Sequence, residues 1–465
     1  MLSARTLQFV VSICVLLIIS SSDVGAEETE YVAGQLVCRV TNSVYIDTIN
    51  VGYGTTSESF LPGISSYLLL APPELDAESL AAVIASEPYV VYCEPNYILA
   101  APEPVQGSQP FIDFDRTGTF NGQTAAAQVD LASAHSLSSG AGVTVAVVDV
   151  GVNANHPVLL GATVTGFDFV DEDPVAHDEP GGSASGHGTF IAGVIRLVAP
   201  EAGIASYRVL DTAGRGDGFT IARAILTAVN AQCKVINLSM VMSGVHSSVD
   251  HAIEYARAHE VMVIAAAGND STEVDRFPAS DSYVLSVAAV DSNNLKTAFS
   301  SYGGKVDVCA PGAHVYAPYD DSLFAWWNGT SFAAPFVSGQ AALLFAARPA
   351  ATWNEVRDAI VGTSVSLDSL NPEYAGELGS GLINPPAAVL EVAPAMCGDF
   401  NEDGNGPDLS DLTAFINYLF LGGPSPTALS IGDVDGTAEV DLNDAVYLIN
   451  YLFLGGPDPA CPESR

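Results

Sequence analysis

The chain is 465 residues long, 48% hydrophobic and only 15% charged, which is too apolar for general disorder and long enough for two to four folded units. Acidic residues outnumber basic ones 54 to 15, giving a net charge of -39, and the only lysines are Lys234, Lys296 and Lys305. Nucleic acid and anionic membrane surfaces would repel such a chain, so both are excluded as its natural partners.

Arg5 is followed by an apolar run at 7–19, by Ser20-Ser21-Ser22 and by Val24-Gly25-Ala26. This is the layout of a secretory signal over residues 1–26. The run is too short for the roughly 20 apolar residues of a membrane span, so a secreted product without a span is expected. Cys14 leaves with the signal. Among the rest, Cys397 with Cys461 and Cys38 with Cys93 could pair in an oxidising compartment, while Cys233 and Cys309 read as buried free thiols.

Residues 27–100 mix strand-like runs, such as Gln35-Leu36-Val37-Cys38-Arg39-Val40, with a helical stretch at 77–86 that spaces Leu80, Val83 and Ile84 on one face. Residues 101–124 are rich in Pro, Gly, Gln and Asp and predict an exposed linker. From 125 to 392, buried-strand runs at 143–148, 234–238 and 261–265 alternate with helical patterns, among them 220–230 with Ile221, Ala224, Ile225 and Ala228. That alternation predicts an α/β fold, a parallel sheet flanked by helices, with its site at the C-terminal strand ends. In the last region Ile-Asn-Tyr-Leu-Phe-Leu-Gly-Gly-Pro at 416–424 returns unchanged at 449–457, which marks a duplication.

Three segments of the central region carry chemistry together: Val147-Val148-Asp149-Val150-Gly151 at a strand end, Gly186-His187-Gly188-Thr189 opening a helix, and Asn328-Gly329-Thr330-Ser331-Phe332-Ala333-Ala334-Pro335 before another. Each alone also reads as a turn, a structural histidine or a helix cap. In this order, with His156-Pro157, Val235-Ile236-Asn237-Leu238-Ser239 and Ala310-Pro311-Gly312 around them, they resemble the subtilisin-like serine peptidases.

The resemblance implies a serine endopeptidase acting through a Ser-His-Asp triad and an acyl-enzyme, with protein or peptide substrates and no cofactor for the chemistry. A serine hydroxyl is a weak nucleophile, so Ser331 needs His187 to take its proton, and Asp149 to orient the imidazole. Asn269 resembles the family's side-chain oxyanion donor, with the Ser331 backbone N–H as its partner. Ser239, Met240, Val241, Ala266, Ala267 and Gly268 would line the substrate cleft. Val150, Phe190 and Phe332 depart from the usual threonine, histidine and methionine, and Val241 stands where glycine is usual. The competing class is a non-catalytic scaffold of the same family acting as an interaction protein.

Glu94-Pro95-Asn96-Tyr97 resembles the end of the family's inhibitory propeptide, so residues 27–100 would be that propeptide, 101–124 its processing region and 125–392 the catalytic domain. In the tail, oxygen-bearing side chains recur at calcium-loop spacing: Asp399, Asn401, Asp403 and Asp411, then Asp433, Asp435, Asp441 and Asp444. The first loop keeps Gly404 and is expected to bind more strongly. Duplicated loop–helix units of this kind resemble dockerin modules, a paired α-helical F-hand over 397–461, whose partner would be a cohesin-like domain. A calcium-stabilised tail with no partner is the other reading.

Overall fold

A computed structural model describes residues 30–461, apart from 102, 104–107, 115–117, 243, 245, 274, 275, 394, 395, 402, 404, 405, 427, 428 and 438. The expected signal over 1–26 lies outside the described residues, as do Gly404 and Ala438 of the two acidic loops.

The first strands are β1 (Tyr31–Val40), β2 (Thr56–Leu61), β3 (Ser66–Leu70) and β4 (Val90–Ala100), with helices α1 (Val44–Tyr53) and α2 (Ala77–Ala85) between them. They pair antiparallel in the order β2-β3-β1-β4. Period-two alternation divides their side chains. Leu36, Cys38 and Val40 point to a small core shared with Ile49, Leu80 and Ile84, whereas Val37 joins the large central core. Cys38 and Cys93 are register partners but remain free thiols, the hydrogen bond from Cys38 and burial pushing the Cys93 thiol up.

The expected exposed linker is instead strapped down. It contains β5 (Phe111–Asp113) and leads into the short helices α3 (Thr124–Gln128) and α4 (Leu131–Leu137). Buried Asp113 accepts from the Gly118 N–H and the Tyr316 hydroxyl, both at 2.8 Å, and the Gln123 amide bonds both backbone groups of Tyr316. The composition of 101–124 hid this, because isolated polar groups that satisfy a neighbour's backbone leave no periodic signal.

The central sheet is parallel throughout, seven strands in the order β13-β12-β11-β10-β6-β8-β7. In chain order its members are β6 (Thr144–Asp149), β7 (Thr163–Asp168), β8 (Gly203–Arg208), β10 (Val235–Leu238), β11 (Met262–Ala266), β12 (Val284–Val290) and β13 (Val308–Pro311). A short β9 (Arg215–Asp217) adds to the antiparallel sheet beside β4, and β14 (Val315–Pro318) with β15 (Phe324–Trp327) receives β5. The strands read as unbroken apolar runs because helices cover both faces: α5 (His187–Val198), α6 (Gly218–Asn230), α7 (Ser247–Ala258), α8 (Thr330–Ala347), α9 (Trp353–Gly362) and α10 (Pro385–Val392). Among the described helices α8 alone is long and apolar enough to cross a membrane, but it is the core helix, with 89% of it buried inside the protein.

The tail forms α11 (Leu409–Leu421) and α12 (Leu442–Leu454) around Phe400, Leu412, Phe415, Val434, Ala445 and Leu448. Cys397 and Cys461 are joined, tying its two ends together. Within these two helices Ile416, Phe420, Ile449 and Phe453 stay exposed.

Candidate active site

The site is assembled at the C-terminal ends of the three central strands β6, β10 and β11. Asp149 ends β6 fully buried, and His187 opens α5, also fully buried. The imidazole Nδ1 lies 2.8 and 3.1 Å from the two Asp149 oxygens, and Asp149 Oδ1 also accepts from the Val150 N–H. Gly188 has to be glycine, since a Cβ there would lie 2.1 Å from the Gly151 carbonyl oxygen and hold the helix off the strand end.

Asp178, which sequence reasoning missed, anchors the start of α5. It is buried and accepts from the Gly186 N–H, the Thr189 N–H and the Thr189 hydroxyl. Burial pushes its carboxyl up to about 7 despite these bonds, and the nearby Asp149 charge adds to the rise.

Ser331 is the second residue of α8. Pro335 lies in the second turn of that helix. Its ring nitrogen carries no proton, so the Ser331 carbonyl has no i+4 donor. The Ser239 hydroxyl fills that role at 2.9 Å, and Asn237 Nδ2 donates to Ser239 in turn. Asn269 follows β11, and its orientation is set by Thr330, whose N–H and hydroxyl both donate to Asn269 Oδ1 at 2.9 and 2.8 Å. The amide Nδ2 is therefore left to donate away from Thr330, to Glu103 Oε1.

Ser331, His187 and Asn269 converge on one group, the carboxylate of Glu103. Ser331 Oγ donates to Glu103 Oε2 at 2.7 Å, His187 Nε2 lies 3.2 Å from the same oxygen, and Asn269 Nδ2 donates to Oε1 at 2.7 Å. Burial disfavours the His187 imidazolium, but the Asp149 charge and hydrogen bond, helped by Glu103, outweigh it and push the ring up to about 10. Trp327 and Phe332 border the imidazole edge-on and tilted, and Phe190 packs on both. Two of the departures from the family pattern, Phe190 and Phe332, are thus one packed pair.

The cleft leading to this centre is occupied by β4. Its residues Ile98, Leu99 and Ala100 pair with Asp217, Gly216 and Arg215 of β9, a wall absent from the sequence reading. The Ala101 N–H continues that ladder to the Gly214 carbonyl at 2.9 Å, and on the other side the Val241 N–H donates to the Ala100 carbonyl at 3.2 Å. Val241 therefore presents its backbone to the strand. Met240, Ala266 and Ala267 are fully buried beneath, and Gly268 turns the chain toward Asn269.

The acidic loops of the tail repeat one pattern. Asp411 accepts from the Asn401 and Asp408 N–H groups, as Asp444 does from Asp435 and Asp441. Asp403 and Thr437 each donate a backbone N–H to the first loop carboxylate, Asp399 or Asp433. Asp441 stands at the α12 N-cap, where it accepts from the Asn443 N–H. Asp433, Asp435 and Asp444 bring three oxygens within 4.8 Å of one another.

Residues 140–383 match the family described as the subtilase family, Peptidase_S8. Thermitase of Thermoactinomyces vulgaris is 36% identical over 272 residues, covering 56% of this chain and 94% of its own, and subtilisin BL of Lederbergia lenta is 35% identical, covering 56% and 96%. The crystal structure of fervidolysin from Fervidobacterium pennivorans superposes with a TM-score of 0.66 at 24% identity, over 80% of this chain and 63% of that one, which speaks to the fold. With the matched stretch taking in every central strand from β6 to β13, the chain belongs to the subtilase family and is a serine-type endopeptidase.

Proposed function

We propose that Ser331, His187 and Asp149 form the catalytic triad and that Asn269 with the Ser331 N–H forms the oxyanion pocket of a secreted, self-processing peptidase. The convergence of Ser331 Oγ, His187 Nε2 and Asn269 Nδ2 on a single carboxylate carries the reading, because the two oxygens of that group sit where a substrate carbonyl must bind. In the cleared site Ser331 Oγ attacks the scissile carbonyl carbon while its proton passes to His187 Nε2. Charge on the carbonyl oxygen is met by Asn269 Nδ2 and the backbone donor. His187 then protonates the leaving amine as the C–N bond breaks, and water releases the acyl group by the same proton path in reverse. Asp149 holds Nδ1 throughout.

Residues 27–100 serve as the inhibitory propeptide. Glu94 accepts from the N-terminal N–H groups of α7, Asn96 accepts from the Phe219 N–H at the start of α6, and β4 then runs into the cleft in the manner of a bound substrate. Maturation cuts the chain between 101 and 124. The tail is a calcium-binding, dockerin-like module. Hard carboxylate oxygens on Asp433, Asp435 and Asp444 suit calcium, with Asp399, Asn401, Asp403 and Asp411 the equivalent donors of the first loop. Burial pushes the Asp411 and Asp444 carboxyls up, a cost that a bound cation relieves. Exposed Ile416, Phe420 and Leu421, matched by Ile449, Phe453 and Leu454, give this module an apolar surface for a cohesin-like partner.

The test is hydrolysis of an unfolded protein substrate by the wild type and by Ser331→Ala. Loss of about 10⁶-fold in turnover is expected, the scale known for the nucleophile in subtilisins, and equal cleavage by the two proteins refutes the assignment.

A further inference from the structure

Glu103 is the residue that neither motif nor composition singled out. Its side chain is completely buried, yet no arginine or lysine is among its bonded partners: the carboxylate spends both oxygens on Ser331, His187 and Asn269. A buried carboxylate is costly unless its oxygens are satisfied, and here the satisfying groups are the catalytic ones. The backbone is tied on both sides. Upstream, Ala100 and Ala101 are bonded to Val241 and Gly214. Downstream, the Ser108 N–H donates to the Glu103 carbonyl, the Ser108 hydroxyl donates to the Asn328 carbonyl, and Trp327 Nε1 donates to that hydroxyl. Gly329 supplies the room, since a Cβ there would lie 2.0 Å from Glu103 Oε1.

We propose that the reaction centre is a carboxylate-binding site whose first occupant is the chain's own Glu103, and that this side chain, beyond the strand in the cleft, keeps the precursor latent. The proposal rests on the peptidase reading. The plug closes the site twice. It fills the position of the scissile oxygen, and its negative charge favours the imidazolium form of His187, which cannot accept the Ser331 proton. The ionisable groups around the pair are His187 on α5, Asp149 at the end of β6 and Asp178 behind the start of α5; α8 and the segment after β11 contribute the uncharged Ser331 and Asn269. Nothing in this cluster offers the carboxylate a second cation, so its hold weakens when the imidazolium loses its proton.

The full-length chain is refolded from denaturant with a fluorophosphonate probe present, and incorporation into the unprocessed band is followed for wild type, Glu103→Gln and Glu103→Ala. Both variants are expected to label at least about tenfold faster than wild type, the worth of one charge-assisted hydrogen bond. Wild-type labelling should rise at alkaline pH, and the rise should move to lower pH in Glu103→Gln. Glutamine keeps the shape and an acceptor oxygen, so that variant decides the matter if Glu103→Ala fails to fold. Equal labelling rates and an unmoved pH profile overturn the plug while leaving the peptidase intact. Absence of labelling in all three, with no peptide cleavage, brings down the peptidase reading and the plug with it.

Discussion

At the scale of single residues, the groups proposed to do chemistry stand in recognisable motifs, whereas two of the carboxylates that hold or occupy them do not. Asp149, His187, Asn269 and Ser331 stand in motifs whose residue types are dictated by proton transfer and anion binding. Asp178 and Glu103 each act through three hydrogen bonds to other segments, and a lone Asp or Glu in a polar stretch carries no local signature. Asp178 makes a testable case. Asp178→Ala leaves three donors at the buried start of α5 without an acceptor, for an expected loss of about 2–4 kcal/mol in stability together with reduced turnover. The carboxyl is raised from 3.8 to about 7 in the folded protein. The stability gained from its proton is therefore complete below pH 3.8 and lost as pH rises through about 7. Thermal melts of Asp178→Asn between pH 4 and 8 should show a flatter profile than wild type.

At the scale of elements, hydrophobic periodicity located β6, β10, β11 and α6 to within a residue or two, because each is bounded by turns and buried on predictable faces. What it could not give was the pairing of β4 with β9, since antiparallel addition at a sheet edge is made by backbone groups that every residue has. The Glu-Pro-Asn stretch now has a physical reading: two polar side chains cap the two helices on which the small N-terminal sheet rests. Asn96 also bonds Gln35 and Asp217, and Val37, Leu61, Ile64 and Leu68 add apolar contact to the same face. Alanine at both Glu94 and Asn96 should weaken inhibition by an added 27–100 peptide by about tenfold to a hundredfold, the worth of two helix caps. The inhibition constant of the isolated segment against mature enzyme measures it, and an unchanged constant shows that the caps do not anchor the sheet.

For the molecule as a whole, the described residues form three cores: a small one in the N-terminal sheet, a large one under the parallel sheet, and a minor one in the tail. Among the described residues the tail core holds six buried side chains, closed by the Cys397–Cys461 bond, and Asp433, Asp435 and Asp444 bring three carboxylate oxygens within 4.8 Å of one another. On the proposed calcium reading, such a unit gains stability from the ion. Chelation should lower the melting transition of the tail while leaving the main transition in place, and calorimetry with and without calcium separates the two. Asp444→Asn and Asp411→Asn identify which loop supplies the effect; the loop with the converging trio, 433–444, is the one where sequence alone expected the weaker site.

The most direct test of the chemistry is a rapid-mix experiment with an activated ester and the mature enzyme, followed by mass spectrometry of the quenched protein. An initial burst equal to the enzyme concentration, with the acyl mass mapped to Ser331 and lost in Ser331→Ala, is the expected result. A burst whose adduct maps to any other residue, or turnover with no burst and no adduct under acyl-accumulating conditions, contradicts it.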